Sequence, residues 1–339
     1  MSVYELFGRF GIRDVGARRI STGASVPVLA LLVATSVFLA VGSLMSSQFA
    51  ELTVSGIAQG SVFASLALAL VLIYRATEVV NFAQGEMAML TTYIAYQLIV
   101  WGLPYWAAFF ATLAIAFAFG VAVQQLVIRP VQQKSVLAVV IVTIGLLSLI
   151  DGVVLWIWGG EPKFMTPPFG SSVYHVGGVT MSLTDLGTIA ISIGTVVVLW
   201  LFFQFTKAGL AMRASALRPA AARLVGVRVN WMLALGWGFA AMLGAVAGLL
   251  TEPSQYVLSP TMMQPILIYA FAAAVLGGLE SPMGSIVSGI ALGIFLNLVG
   301  QYVGFVTSEL RLPVAFAVLL VVLLVKPSGL FGRAAVRKV

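Results

Sequence analysis

Long stretches without charged residues recur along the whole chain, separated by short segments that hold the charges. The first stretch, 26–46, follows a basic segment and is longer than the apolar part of a usual secretory signal, so we interpret it as a retained span. Nine further stretches cover 53–73, 78–101, 105–128, 135–158, 186–206, 231–251, 264–280, 283–303 and 311–325. A helix needs roughly 20 apolar residues to cross a bilayer. The pattern therefore predicts an all-α, polytopic transmembrane helical bundle of about ten spans.

Basic residues are distributed unevenly among the segments that join these spans. With ten spans and a cytoplasmic N-terminus, all of the 18 Lys and Arg residues except Lys163 and Arg311 fall on the cytoplasmic side. Cytoplasmic loops of membrane proteins carry such an excess. We therefore predict that both termini are cytoplasmic, with a basic tail over 1–25, a transmembrane domain over 26–325 and a C-terminal tail over 326–339.

The composition narrows the class of protein. The chain is 61% hydrophobic and 9% charged, whereas soluble chains are about 45–50% apolar and about 25% charged. So few charges cannot cover a water-facing surface, which excludes a soluble enzyme, a disordered protein and a nucleic-acid binder despite the net charge of +7. The sequence has no cysteine, no P-loop motif and none of the common hydrolase signatures. We expect a non-catalytic chain that binds no metal or cofactor itself.

Small residues recur at four-residue spacing in three predicted spans. They are Gly56, Gly60 and Ala64 in one span, Gly236, Ala240, Gly244 and Gly248 in another, and Ser285, Gly289 and Gly293 in a third. This spacing places small residues on one helix face and lets two backbones approach closely. We expect tight helix packing there, and the alternative is a helix contact that moves during function.

A polar segment interrupts the apolar pattern between 74 and 86. It contains Arg75, Glu78, Asn81, Gln84 and Glu86, with Gly85 as a point where a helix can break. A charged group at the centre of a membrane helix costs about 2.5–3.5 kcal/mol on insertion scales, so these side chains need a partner, water or the interface. Two interpretations stay open: a discontinuous helix that lines a pathway, or a cytoplasmic turn in which Arg75 pairs with Glu78 and the amides cap helices.

A second interruption lies in the C-terminal half. Gly277, Gly278, Pro282 and Gly284 break an apolar stretch. Two spans joined by a tight turn are the conservative interpretation. A broken or re-entrant helix at a gate is the alternative, as in transporters with paired discontinuous helices.

Two loops are longer than the others. The external loop 159–185 is rich in Pro and Gly and holds the single histidine, His175, which we interpret as a solvated residue. The internal loop 207–230 holds basic but no acidic residues. Within it, Pro219 to Leu224 followed by Gly226 predict a short cytoplasmic helix, because proline is favoured at the first helical position and glycine after the end. Such a helix suits contact with phospholipids or docking into a partner.

Three segments resemble one family, the membrane permease subunits of bacterial ABC importers for branched-chain amino acids, in particular the H-type. Residues 60–70, followed by Glu-Val-Val-Asn-Phe-Ala-Gln-Gly-Glu over 78–86, are similar to the family's first signature. Residues 272–284 with Gly289 and Gly293 resemble the second signature, and 326–332 resemble the C-terminal ending. The resemblance covers about 50–335.

The resemblance implies a division of labour between subunits. A periplasmic binding protein delivers the amino acid, and this chain forms the pathway in the bacterial inner membrane with a homologous permease or a second copy of itself. Two cytoplasmic ATPase subunits use ATP and Mg²⁺, and each receives a short permease helix, here 215–226. Pathway or gating roles then fall on Arg75, Glu78, Asn81, Gln84, Gly85, Glu86, Gly277, Gly278 and Gly284. ATPase docking falls on Ser215, Arg218, Pro219, Ala222, Arg223, Leu224 and Gly226.

Other transport functions fit the same pattern. A permease for urea or short amides shares the Asn-Phe-Ala-Gln-Gly type of motif, and a sugar permease of related fold is a more distant alternative. From a different class, an ion-coupled secondary transporter would use Glu78 or Glu86 to carry protons. Copurification of an ATPase separates that class from an ABC permease.

Overall fold

The computed structural model of the protein describes residues 47–132, 134–165, 168–170, 172–176, 179–255 and 257–332. Its α-helices are α1 (Ser47–Thr77), α2 (Gln84–Val100), α3 (Tyr105–Ala122), α4 (Val136–Trp158), α5 (Leu183–Phe205), α6 (Lys207–Leu217), α7 (Pro219–Leu224), α8 (Val229–Gln255), α9 (Met263–Gly277), α10 (Pro282–Tyr302) and α11 (Arg311–Val325). A π-helical turn, Val123–Ile128, continues α3, and a 3₁₀ turn, Ser308–Leu310, precedes α11. The predicted tail 1–25 and first span 26–46 lie outside the described residues.

Seven of the described helices are long and apolar enough to cross a membrane. They are α1, α3 with its π-helical turn, α4, α5, α8, α10, and α11 with its 3₁₀ turn. Helix α9 is apolar but has 15 residues, and α2 has 17. The chain is therefore a multi-pass helical membrane protein, and the count of ten spans stays a prediction.

Hydroxyl side chains fix the start of several helices. Ser135 accepts a hydrogen bond from the Ala138 N–H at the start of α4, and Thr206 accepts one from the Gly209 N–H at the start of α6. Ser281 does the same for the Gly284 N–H in α10. The first N–H groups of a helix have no partner within the helix, so such caps stabilise it by about 1 kcal/mol. The helix starts thus follow from local sequence.

Helix ends differ from the prediction where charges were used as limits. Helix α1 includes both Glu51 and Arg75, which the predicted stretch 53–73 leaves out. Glu51 is accommodated because its carboxylate accepts a hydrogen bond of 2.8 Å from the Thr180 N–H. The stretch predicted over 78–101 becomes helical only at Gln84.

Helix α1 is the centre of the bundle. Within its most apolar part 83% of the residues are buried, against 22% for α4 and 11% for the last span, Ser308–Val325. It packs most extensively on α10 and also on α8, α9 and α5. The core therefore surrounds α1, while α4 and α11 direct most of their apolar side chains away from the rest of the chain.

A short hairpin replaces part of the predicted external loop. Strands β1 (Val173–Val176) and β2 (Val179–Ser182) pair antiparallel, with His175 opposite Thr180. Helix α5 then begins at Leu183, earlier than predicted, and an isolated bridge joins Lys163 to Leu258. The Glu51 contact ties this hairpin to the start of α1.

Candidate functional site

The break between α1 and α2 ends the first helix by backbone geometry. Glu78 has a φ of 56° in the left-handed region, and its N–H donates to the Tyr74 carbonyl at 2.7 Å. That conformation closes a helix and is usually taken by glycine, since a side chain costs roughly 1–2 kcal/mol there. Residues 78–83 are non-helical, and α2 begins at Gln84. A side chain at this position thus marks a strained helix end.

The non-helical segment returns into the apolar part of the bundle. Ala76, near the end of α1, lines the same cavity as Met232 near the start of α8. Only eight residues further, the Gln84 Nε2 donates to the Ala240 carbonyl at 2.9 Å. Ala240 is the central residue of the 23-residue apolar stretch Val229–Thr251. Helix α2 therefore begins beside the middle of a candidate span, at a depth where membrane-exposed loops do not occur.

Buried side-chain amides provide hydrogen bonds at the start of α2. The Asn81 Oδ1 accepts from the Ala83 N–H at 3.1 Å, and the Asn81 Nδ2 donates to the Gln84 Oε1 at 3.2 Å. Gln84 in turn donates to Ala240, and both side chains are fully buried. We call Asn81, Gln84 and the Ala240 carbonyl the amide junction. The amides stabilise a helix start, as expected for a turn. This helix start, however, lies beside the middle of an apolar span, as expected for a discontinuous helix.

Glu86 lies within the first turn of α2 and is 2% exposed. Its Oε2 has no hydrogen-bond partner among the described residues. A buried ionisable group in a membrane protein is costly and marks a functional position by default. The described part of the chain has no cluster of three or more His, Asp or Glu side chains that could hold a metal ion. Gly85 next to it packs against Leu267 of α9, whose side chain would lie 3.2 Å from an added Cβ.

Two glycines of α8 let α2 approach. A Cβ added at Gly244 would lie 2.7 Å from the Gln84 Nε2, and one at Gly248 would lie 2.9 Å from the Ala88 carbonyl oxygen. Both distances are shorter than real Cβ contacts. A side chain at Gly244 would therefore require the Gln84 amide to move from its present position.

Helices α1 and α10 cross with their backbones in contact. Added Cβ atoms at Gly56 and Gly60 would each lie 2.7 Å from a backbone atom, the Cα of Ile294 and of Ile290. From the other side, one at Gly289 would lie 2.6 Å from the Ala64 Cα, and Gly293 meets the Gly60 backbone. Close approach of this kind is what small residues at four-residue spacing permit.

Gly236 differs from the packing expected of it. The only described atom within 4 Å of an added Cβ is the Met212 Cε, at 3.9 Å, so no helix packs closely there and Gly236 lines a cavity.

A further close contact, which was not predicted above, joins α3 to α8. Cβ atoms at Gly120 and Gly238 would collide with Ala241 and Phe117. The sequence carries a signal for this contact, because Gly120 follows Ala116 and Gly238 follows Ala234 at the same four-residue spacing.

The second interruption is a tight turn covered by the C-terminal segment. Gly278 ends α9 with a φ of 94°, and Ser281 caps α10. The Leu330 N–H donates to the Leu276 carbonyl at 2.7 Å, and the Phe331 N–H donates to Gly277 at 3.2 Å. Gly284 lies under Phe331. Residues that are 54 positions apart in sequence thus form one structural unit, which favours the conservative interpretation of two spans joined by a turn.

The internal loop contains two helices and not one. Helix α7 begins with Pro219 at its first position and ends at Leu224, followed by Gly226 at a φ of 83°, as the sequence predicts. The single helix expected over 215–226 is interrupted at Arg218, and Ser215 belongs to the preceding helix α6. Ser215 and Ala222 are buried against the bundle.

The other predicted docking residues of this loop are exposed. Leu224 is 90% exposed and Val225 is 78% exposed, with Arg218, Pro219 and Arg223 exposed around them. A polar turn has no reason to expose two adjacent large apolar side chains, and such a patch rimmed by charge is typical of a protein contact.

Comparisons with known proteins identify the family of this chain. A family model described as "Branched-chain amino acid transport system / permease component" matches residues 52–323. The chain is 30% identical over 312 residues to the high-affinity branched-chain amino acid transport system permease protein LivH of Escherichia coli K12, covering 87% of this chain and 100% of the relative. It is 30% identical over 301 residues to BraD of Pseudomonas aeruginosa, another such permease protein, covering 84% and 96%. A probable LivH of Methanocaldococcus jannaschii is 29% identical over 286 residues, covering 79% and 87%.

Proposed function

The chain belongs to the family of branched-chain amino acid transport permease components, and from this premise we propose that it forms the translocation pathway of an ABC importer for branched-chain amino acids. The observation that carries the proposal is the amide junction, a set of buried polar groups beside the middle of an apolar span. A span with a purely structural role has no need of it. The names of the relatives favour branched-chain amino acids over urea and over an ion-coupled mechanism.

In this proposal the segment 78–86 lines or gates the pathway. Asn81 and Gln84 hold the start of α2 beside the middle of α8, and Glu86 provides a carboxyl group whose Oε2 has no hydrogen-bond partner among the described residues. We propose a different role for Gly277, Gly278 and Gly284, since their turn is covered by the C-terminal segment. We assign them to the stability of the α9–α10 connection.

The exposed patch around Leu224 is the proposed docking site for a partner ATPase. Leu224 and Val225 provide the apolar centre, and Arg218 and Arg223 provide the charged rim. ATP and Mg²⁺ are bound by two such ATPase subunits, and this chain binds neither. A second permease, homologous or identical, completes the pathway, and an extracytoplasmic binding protein delivers the amino acid at the opposite face.

The proposed location is the bacterial inner membrane, with ten spans and both termini in the cytoplasm. The natural chain has no cysteine, so single cysteines report topology without further mutation. Tyr174→Cys, in the exposed hairpin, is expected to react with a membrane-impermeant maleimide on intact cells. Ala220→Cys, exposed on α7, is expected to react only after the cells are opened. The reverse pattern would invert the proposed topology.

Uptake measurements test the substrate. In cells that lack their own branched-chain uptake and coexpress the partner subunits, we expect saturable entry of labelled leucine that isoleucine and valine inhibit and urea does not. Uptake should require an intact partner ATPase and survive a protonophore. Asn81→Leu should reduce uptake with normal assembly, whereas Phe82→Leu, a change at the neighbouring and partly exposed position, serves as control. Urea entry, or leucine uptake without the ATPase, would contradict the proposal.

A further inference from the structure

A cavity of about 250 Å³ lies where α1, α5, α6, α8 and α10 meet. Its polar and apolar lining residues are separated along its depth. Arg75 on α1, Gln204 on α5 and Arg213 on α6 line the end nearest α6. Further from α6, helices α1 and α5 contribute apolar residues, among them Leu68, Leu72, Val196, Leu199 and Phe203. The cavity thus has a cationic mouth and an apolar interior.

The dimensions match part of a lipid in one leaflet. From Arg75 back to Leu68, and from Gln204 back to Val196, the helices rise about 10–12 Å. One leaflet contributes about 15 Å of hydrocarbon, half of the roughly 30 Å core. The cavity is open at its side, where Trp200 is 51% exposed and Met283 is 61% exposed. It therefore takes one acyl chain and leaves the rest of a lipid in the bilayer.

The charges select the kind of headgroup. The Arg213 Nη1 donates to the Gln204 Oε1 at 3.3 Å, and the buried Arg213 Nε has no hydrogen-bond partner among the described residues. None of the described residues that line the cavity is acidic. A transported amino acid carries an ammonium group, which would find no carboxylate here. A phosphodiester with an apolar tail satisfies both the Arg213 guanidinium and the apolar wall.

We propose that this cavity binds an anionic phospholipid, with its phosphate at Arg213 and one acyl chain along α1 and α5. We place this lipid in the inner leaflet, which rests on the membrane orientation given under the proposed function. The class of lipid does not depend on that orientation. The cavity wall includes α6, which leads into α7 and the proposed docking patch. A bound lipid consequently connects α6 to α1, the central helix of the bundle.

Quenching of Trp200 tests the proposal. The full chain, coexpressed with its partner subunits, is reconstituted into phosphatidylcholine bilayers that contain a rising fraction of phosphatidylglycerol with brominated acyl chains. The signal of Trp200 is the difference between the natural chain and Trp200→Phe. We expect half-maximal quenching at a several-fold lower lipid fraction with brominated phosphatidylglycerol than with brominated phosphatidylcholine.

Two variants remove the proposed contacts, each with a matched control. Arg213→Gln should raise the half-quenching fraction of phosphatidylglycerol about fivefold, since one basic residue contributes about 1 kcal/mol. Arg228→Gln, the same charge change outside the cavity, should not. Gly236→Leu should fill the cavity and abolish the preference, whereas Gly194→Leu, where no described atom lies within 4 Å of an added Cβ, should retain it.

Three results would overturn the assignment. Equal quenching by the two brominated lipids would show ordinary boundary lipid only. An equal effect of Arg213→Gln and Arg228→Gln would show a general charge effect. Displacement of the brominated lipid by leucine would place the cavity in the substrate pathway. If Gly236→Leu fails to fold, the arginine pair still decides, and the cysteine labelling of topology and the leucine uptake assay report separately on the proposed function.

Discussion

Gly244→Ala perturbs the amide junction by a single methyl group. The added Cβ would lie 2.7 Å from the Gln84 Nε2, whereas an ordinary contact begins at 3.4 Å. The amide must therefore move by about 0.7 Å, and a displacement of that size away from Ala240 lengthens its 2.9 Å hydrogen bond up to about 3.6 Å, which is beyond useful range. A buried donor left without its acceptor costs about 1–3 kcal/mol. Since 1 kcal/mol corresponds to about 2–4 °C in chains of 150–250 residues, we expect a Tm lower by several degrees and slower leucine uptake.

The control for this change is Gly194→Ala on α5, where no described atom lies within 4 Å of the new Cβ. It should leave the Tm and uptake unchanged. A double-mutant cycle isolates the contact: after Gln84→Ala, the further change Gly244→Ala should cost no more than Gly194→Ala does. The assays are the Tm of the purified full chain with its partners and the initial rate of uptake. If Gly244→Ala is as harmless as Gly194→Ala in the natural background, the hydrogen bond to Ala240 does not hold α2 in place.

The remaining predictions concern three other contacts. Gly278→Ala and Gly102→Ala impose the same backbone strain, at φ values of 94° and 96°, but only Gly278 lies against the C-terminal segment; proteolysis of the C-terminus should therefore become faster in Gly278→Ala alone. Leu224→Asp should abolish copurification of the ATPase without a change in the Tm of the chain, because Leu224 is 90% exposed; retained copurification would refute the docking assignment. Gly60→Ala should sharply reduce the amount of folded chain in membranes, because it meets backbone that cannot yield, whereas Gly152→Ala, which meets no described atom within 4 Å, should not.

Sequence reasoning located the helices because the cost of placing a charge in the bilayer is a local property. Gaps between charges therefore indicate spans. Charge gaps do not indicate the start of α1, since Glu51 is stabilised there by Thr180, a residue 129 positions away. Helix α7 was predictable with its limits, because Pro219 and Gly226 act within their own turns.

The amide junction could be predicted only in part. Asn81 and Gln84 were identifiable as polar residues that need partners, but the Ala240 carbonyl is 156 residues away and carries no sequence signal. Gly236 and Gly244 belong to one stripe and have different environments. Helix α2 begins beside Ala240, so one turn earlier no part of that helix is present to pack on Gly236. Where a partner helix begins is tertiary information, and a spacing of four residues does not contain it.

The α1–α10 and α2–α8 interfaces, both lined by glycines, differ in which atoms make the closest contacts. Between α1 and α10 it is backbone against backbone, so any sliding of one helix past the other meets atoms that cannot rotate away. Between α2 and α8 backbone comes equally near at Gly248, where an added Cβ would lie 2.9 Å from the Ala88 carbonyl oxygen. At Gly244, beside the start of α2, the contact is made by the Gln84 amide, the end of a flexible side chain that also holds the helix start by hydrogen bonds. Hydrogen bonds of this kind between membrane helices contribute about 0.6 kcal/mol on average. In the proposed importer, a change of accessible side driven by ATP is therefore expected to move the start of α2 relative to α8 and to leave the α1–α10 pair rigid.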